Sequence, residues 1–253
     1  MSYKILFSNI GYAKGIDGSL KSHMRYFHRH FYANISVQKQ VLHQLKNLIE
    51  TEMPDLCCFV EIDRGSVHSA QLNQIHELMD EEYTYHDIAD KYGENSLLGR
   101  LPLHAGKSNA FLAKAPLPFE RLYFGYGRKR LIYKLILSED IHVFFAHFSL
   151  NQKIRLQQFE EVYYLVRDLD QEVILLADFN ILKGFRELNP LLETTALTVL
   201  NKEEEPTFTF HRKRRALDLC LCTPGIAERA DLKIIPQPFS DHAALLLNIH
   251  VQT

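Results

Sequence analysis

The chain has 253 residues, 46% of them hydrophobic and 24% charged, an ordinary balance for a globular protein and not that of a disordered or fibrous one. Its formal net charge of -2 supplies no overall positive field, so any polyanion must be held by local patches. The four cysteines fall as Cys57-Cys58 and Cys220-Leu221-Cys222. Neither pair has the spacing of a zinc site, and both read as buried thiols of a reducing, cytoplasmic compartment.

No run approaches the ~18 apolar residues of a membrane span, and the apolar part of MSYKILFSNIGY is too short for a signal peptide. Without a linker or an internal repeat, one domain over residues 1–253 is expected. Nothing in the sequence sets an oligomeric state, and a monomer is compatible with it.

The first apolar run, YKILFSN, reads as a strand ending at Asn9. Ser36 can cap a helix with Val37, Val41, Leu45, Leu48 and Ile49 on one face, closed by Pro54. DLCCFVE is a buried strand ending at Glu61, and Ser66 precedes a second helix marked by Leu72, Ile75 and Met79. Residues 83–107 show no period and read as loop. Strands are expected over 109–114, 131–137 and 141–148. The strongest helix spans 152–168, where Phe159, Val162, Tyr163, Val166 and Leu169 oppose Gln157, Glu160, Glu161 and Arg167. A strand over 173–177, an irregular segment to Pro206, and strands over 217–222 and 243–251 follow. Several strands succeed one another without helices between them. Mixed sheets are therefore expected, packed as a pair with helices outside.

Five of the apolar runs stop at, or start from, a small polar residue: Asn9, Glu61, His147, Asp178 with Asn180, and Asp241 with His242. Core packing gives no reason for that repetition, whereas a site gathered at strand ends does. Asp178 and Asn180 share one face while Phe179 points back to the core, although Asp and Asn also favour turns. Glu61 is the lone acid of a buried strand and needs a partner, either a divalent cation or Arg64. Asp218, inside Leu-Asp-Leu-Cys-Leu, poses the same problem, with Arg214 or Arg215 as alternatives. An Asp-His pair on a strand cannot share a face unless the backbone bends. A carboxylate-and-amide donor set suits a hard cation better than zinc.

In this order the residues resemble the endonuclease/exonuclease/phosphatase superfamily, whose fold is similar to that of deoxyribonuclease I. The resemblance runs from Asn9 to His242, and Asp178-Phe179-Asn180 and Ser240-Asp241-His242 are its most specific pieces. It implies a four-layer α/β sandwich of two mixed sheets flanked by helices. It also implies hydrolysis of phosphate esters with Mg²⁺, or Mn²⁺ in its place. Glu61 would be the principal metal ligand, supported by Asn9 and Asp241. Asp178 would orient the attacking water, Asn180 and His242 would bind the phosphate, Asp218 would orient His242, and His147 would face the phosphate or leaving group. Lys107-Ser108-Asn109-Ala110 and Pro206-Thr207-Phe208 match further segments of the pattern, placing Asn109 and Thr207 at the substrate. Two positions depart from it. Ala177 replaces the usual Gly before Asp-x-Asn, and no acid stands out as the partner of His147.

Substrate choice is open among three readings: a nuclease-like phosphodiesterase, a lipid, phosphoinositide or small-molecule phosphoesterase, and a binding module without catalysis. The retained Asn9, Glu61, Asp178, Asn180, Asp218, Asp241 and His242 speak against the last. Residues 12–32 interleave Lys14, Lys21, His23, Arg25, His28, Arg29 and His30 with Tyr26, Phe27, Phe31 and Tyr32. They could stack bases or hold a lipid headgroup, or form a short helix packing Met24, Phe27 and Phe31 inward. The run His211-Arg212-Lys213-Arg214-Arg215 reads either as a solvated loop or, through Arg212 and Arg214, as a phosphate contact. Arg128-Lys129-Arg130 is a second basic run of the same kind.

Overall fold

The computed structural model describes residues 2–250 except 94, 95 and 103. In chain order its strands are β1 (Ser2–Asn9), β2 (Leu56–Asp63), β3 (Tyr85–Asp90), β4 (Lys107–Ala113), β5 (Phe119–Tyr123), β6 (Leu131–Ser138) and β7 (Ile141–His147). They continue as β8 (Glu172–Asp178), β9 (Thr198–Val199), β10 (Phe208–Phe210), β11 (Lys213–Arg215), β12 (Asp218–Cys222), β13 (Ala230–Ile235) and β14 (Ala244–His250). One sheet has the order β13-β14-β1-β2-β4-β3 and the other β5-β6-β7-β8-β12-β9, while β10 and β11 form a separate hairpin. Both sheets are mixed: β1 runs parallel to β2 and β7 parallel to β8, and the remaining pairings are antiparallel.

The two sheets face each other across one apolar layer. Ile5, Phe7, Cys58 and Leu247 from the first pack with Tyr133, Phe145, Leu176 and Cys220 from the second. The strands alternate in side-chain direction, so the opposite faces need cover. The helices that precede β8 are α1 (Leu20–Tyr26), α2 (Ile35–Glu52), α3 (Gln74–Leu78), α4 (Leu97–Arg100) and α5 (Gln152–Val166). Leu6, Cys57 and Leu112 pack under α2, and Leu175, Ala177 and Leu219 pack near Phe159 and Val162 of α5. All four cysteines are buried and free. No helix among the described residues is long and apolar enough to cross a membrane.

Several local expectations are corrected. The cap of α2 is Asn34, whose side chain accepts the Val37 amide, and Met53 in the left-handed region ends the helix one residue before Pro54. The helix expected after Ser66 shrinks to Gln74–Leu78, because Ser66 and Ser69 spend their hydroxyls on turn bonds. Residues 83–107 contain β3, and β5 and β13 were not evident at all. These three lie at or next to sheet edges with half-exposed residues, which leaves too little apolar alternation to read. The strand expected to reach 251 is described to His250, and Val251 lies outside the described residues. The basic run is a hairpin turn and strand, with His211 at φ 56.

The 12–32 segment does not pack Met24, Phe27 and Phe31 inward: they are 74%, 60% and 65% exposed. Instead it docks on the β10–β11 hairpin. The His23 ring meets Phe210 at 5.0 Å and His211 at 5.2 Å, and the His211 amide donates to the Gly18 carbonyl. Gly18 is required there. Its φ is +77, and a Cβ would lie 2.0 Å from the Thr209 carbonyl oxygen.

Candidate active site

Strand register alone gathers the polar residues at one pole. His147 of β7 lies opposite Asp178 of β8, which in turn lies opposite Asp218 of β12. In the other sheet Asn9 closes β1 beside Val60 of β2, and β14 runs antiparallel to β1, which brings His242 back to the same end.

Glu61 reaches this pole through a bulge. The β2–β4 register slips between Phe59 and Ile62, so two residues of β2 oppose Asn109, and Glu61 takes φ 55. A bulge re-aims one side chain out of the pleat, which a regular strand could not do. The Glu61 carboxylate lies 3.7 Å from His147 Nδ1 and keeps about a quarter of its side chain exposed, at 24%. Arg64 pairs instead with Asp90, at 3.7 Å. Burial would raise the Glu61 pKa, but His147, Lys91, Lys129 and Lys14 outweigh it and hold it at about 2.

Asp178 is the hub. Its Oδ2 accepts from Asn9 Nδ2 at 3.1 Å and lies 3.0 Å from His147 Nε2, and its Oδ1 accepts the Asn180 amide at 3.1 Å. Against burial, His147, His242 and Lys129 hold its carboxyl well below the usual range. Asn180 sits just past the strand at φ 53, a conformation Asn tolerates, and gives one amide hydrogen to the Phe148 carbonyl at 2.9 Å. Phe179 turns inward and stacks on Phe148 at 4.9 Å.

His242 Nδ1 lies 2.7 Å from Asp218 Oδ2, and its Nε2 lies 3.4 Å from Asn9 Nδ2. The backbone bend at Ser240 and Asp241, which lets Asp241 and His242 line the same cleft, is tied by Ser240. Its hydroxyl donates to the Asn9 carbonyl at 2.9 Å and accepts the His242 amide at 3.2 Å. Burial opposes the imidazolium, but Asp218, Asp178 and Asp241 prevail and raise the His242 pKa to about 10. Burial also pushes the Asp218 carboxyl upward, so the pair holds one proton between them. Arg214 and Arg215 are not the partners of Asp218.

Thr207 is buried and its hydroxyl accepts two amides at the start of β12, Leu217 at 2.9 Å and Asp218 at 2.8 Å. Asn109 is buried with its Oδ1 unpartnered. Arg212 and Arg214 are exposed on the hairpin. Arg214 lines a cleft of about 570 Å³ that includes Thr207, Ser240, Asp241 and His242. It also lines a neighbouring cleft of about 460 Å³ with Lys183, Arg186 and Arg215.

The sequence did not reveal the lysines around Glu61. Lys129 contacts His147 Nε2 and is positioned by α5, where Gln158 Nε2 donates to its carbonyl at 2.8 Å. Burial and the nearby Lys129 lower the His147 pKa to about 4. The Arg128-Lys129-Arg130 run was the signal for Lys129, as Lys14 and Lys107 stood in two other segments, and charge runs are common on solvated loops.

Two donor sets at this pole could take a cation. Asp178, Asp218 and His242 each place one ligand atom within 4.8 Å of the others. A charged imidazole hydrogen-bonded to Asp218 is a poor ligand, however, and these three are already engaged with one another. Around Glu61 the requirement is clearer. Burial, and after it the field of Glu61, raises the Asp241 pKa, and carboxylate with amide oxygens suits a hard divalent ion. The residues present fit such an ion.

Residues 32–242 match the model of the endonuclease/exonuclease/phosphatase family. The chain belongs to that family. Solved structures with the same fold include the endonuclease domain of TRAS1, a telomere-specific non-LTR retrotransposon, with TM-score 0.62, 14% identity and 100% of each chain covered. A humanized D. rerio TDP2 gives TM-score 0.65 and 13% identity over 99% of both chains. An endonuclease/exonuclease/phosphatase from Beutenbergia cavernae gives 0.67 and 16%, over 99% of this chain and 72% of that one. Among curated proteins no sequence matches. The DNase I-like sandwich of this endonuclease/exonuclease/phosphatase chain is the architecture those structures share.

Proposed function

We propose that the chain is a divalent-metal-dependent hydrolase of phosphodiesters, nuclease-like in substrate and cytoplasmic in location. One observation carries the reading. Asn9, Asp178, His147, Asp218 and His242, from both sheets, form one connected set beside Glu61. No packing role requires that convergence.

Mg²⁺, or Mn²⁺, bound by Glu61 with Asn9 and Asp241 would supply charge to polarise the phosphate and stabilise the leaving oxygen. Asp178, ionised and fixed by three neighbours, accepts a hydrogen bond from the attacking water and aligns it. His242, charged and braced by Asp218, donates through Nε2 to a phosphate oxygen. The second amide hydrogen of Asn180 serves another oxygen. His147, neutral above about pH 4, faces the leaving side of the phosphate.

A polynucleotide suits the surface because the two clefts meet at Arg214 and continue past Lys183, Arg186 and Arg215. That places basic side chains along a groove beside the site, a chemistry that suits a chain of phosphates. The exposed Met24, Phe27 and Phe31 beside basic residues favour a second reading, a lipid phosphoesterase working at a membrane surface.

A panel of plasmid DNA, abasic DNA, RNA, phosphoinositides and sphingomyelin, each with Mg²⁺, tests the choice. Nucleic acid should be cleaved. Neutralising Arg212, Lys213 and Arg214 together should weaken binding and flatten its salt dependence by roughly one log–log unit for each phosphate no longer neutralised. Turnover of the lipids alone would overturn the nuclease reading.

A further inference from the structure

The fold brings four lysines together, and among the described residues none of them is in direct ion-pair contact with an acid, although Glu61 lies in the field of all four, Asp63 in that of Lys107, and Asp178 and Asp218 in that of Lys129. Lys91 accepts the Arg130 and Leu131 amides through its carbonyl, at 2.7 and 3.2 Å, and donates its own amide to the Lys107 carbonyl at 3.2 Å. Its backbone therefore joins β4 of one sheet to the start of β6 in the other, fixing Lys91 and Lys107 side by side. The ammonium groups of Lys14, Lys91 and Lys107 surround one ring, that of Tyr12, at 5.0, 5.1 and 5.7 Å from its centroid.

Tyr12 is itself held in place. It is buried at φ 57, its carbonyl accepts from Gln74 Nε2 at 3.0 Å, and its hydroxyl accepts from Lys91. Lys129 lies next along. Among the described residues none of the four lysines forms an ion pair with a carboxylate, and Glu61 is the acid common to the fields of all four. Lys91 is almost fully buried, at 6% exposure, and burial draws its pKa down to about 7, so an anion beside it is what would keep it charged. Converging ammonium groups repel, and a fold gains nothing by assembling them unless an anion completes the cluster.

We propose that Tyr12, Lys14, Lys91 and Lys107 form a cradle for a second, non-reacting phosphate of the substrate, on the Glu61 side of the centre and away from the Arg214 groove. The inference rests on the phosphoester reading above and adds to it a substrate class: one carrying a phosphate next to the scissile one. A neighbouring backbone phosphate of a nucleic acid and a second phosphate on a soluble headgroup share this chemistry.

The test is calorimetric titration of inorganic pyrophosphate into the full chain in EDTA, where turnover plays no part. Lys14→Gln/Lys107→Gln is the test variant, because both side chains are partly exposed and the fold does not depend on burying them. Lys233→Gln is the control, since Lys233 pairs with Glu52 at the opposite pole. Pyrophosphate should bind the parent and the control alike and lose at least tenfold in affinity in the double variant. Without ligand, the double variant should melt at or above the parent temperature, because two repelling charges are gone. It should also lose the melting shift that pyrophosphate gives the parent.

Displacement of pyrophosphate by a tetrathymidylate or by inositol 1,4-bisphosphate names the source, and displacement by neither overturns the proposal. So does equal binding by parent and double variant, or no binding by the parent. Because binding is read without catalysis, a chain that hydrolyses no phosphoester can still pass this test, and one that does can still fail it.

Discussion

Asp218 Oδ2 receives His242 Nδ1 at 2.7 Å inside a fully buried pair. The acid fixes which ring nitrogen faces the cleft and sustains the charge on the imidazole. Asp218→Asn keeps the shape but removes the charge. We expect kcat to fall by about 10² to 10⁴ with a smaller change in KM, and the alkaline arm of the pH–rate profile to move down. A variant with parental kcat at neutral pH would mean that His242 needs no such support.

Asp178 and His242 meet through a shared amide, since Asn9 Nδ2 lies 3.1 Å from one and 3.4 Å from the other. Groups acting as one unit are not additive. Removing either should cost several powers of ten in rate, and the double variant should be little worse than the singles. Losses that multiply would show two independent roles.

Glu61→Gln tests the metal. The bulge that aims Glu61 does not depend on its charge, so the fold should persist while affinity for Mg²⁺ or Mn²⁺ falls sharply by calorimetry. An unchanged titration would remove Glu61 from the ligand set.

Stability should depend on pH through two histidines of opposite sign. His242 has a folded pKa raised from 6.5 to about 10. Its contribution is full below 6.5 and lost as pH rises toward 10, and with Asp218 it titrates as a pair. His147 has a folded pKa lowered from 6.5 to about 4. Between those values the unfolded chain binds the extra proton, so stability falls as pH drops through that window. Denaturant melts from pH 4 to 10 should peak near neutrality. His147→Gln should flatten the acid limb and His242→Gln the alkaline limb.

Thr207 offers a stability prediction at the same site. Thr207→Val leaves the Leu217 and Asp218 amides without their acceptor in a buried place, at a cost of about 1–3 kcal/mol. The measurement is the denaturant midpoint. Because those amides open β12, kcat should drop as well, through a displaced Asp218.

What could be read from the sequence was whatever local pattern controls. Buried central strands such as 173–177 are continuous apolar runs, and the polar residues that close them stand out against that background. The edge strands β3 and β5 carry mixed residues that fit a half-exposed surface equally well as loops. Glu61 was legible as an unusual acid, but not the bulge that aims it, because a register slip is a relation between two strands distant in sequence. The Lys91, Lys107 and Lys129 cluster was hidden for the same reason. Each lysine alone looks like a surface charge, and only the β3, β4 and β6 junction makes them neighbours. The Asn34 cap was missed because Ser36 satisfies the same rule two residues later.

The placement of β14 has a consequence for biosynthesis. Residues 244–250 are made after every other strand, yet β14 sits between β13 and β1 and the segment leading into it carries His242. A nascent chain that has reached only residue 240 has β1 with one neighbour missing, β13 without a partner, and Asp218 buried beside no imidazole. The first sheet can close only when the last strand slides into its gap, and the same event delivers His242 to the cluster around Asp178 and Asp218. Emergence of the fold and of the site are therefore a single step in time, so a chain stalled before β14 lacks the closed sheet and the His242 cluster together. It can only be an open sheet edge awaiting a chaperone or a protease.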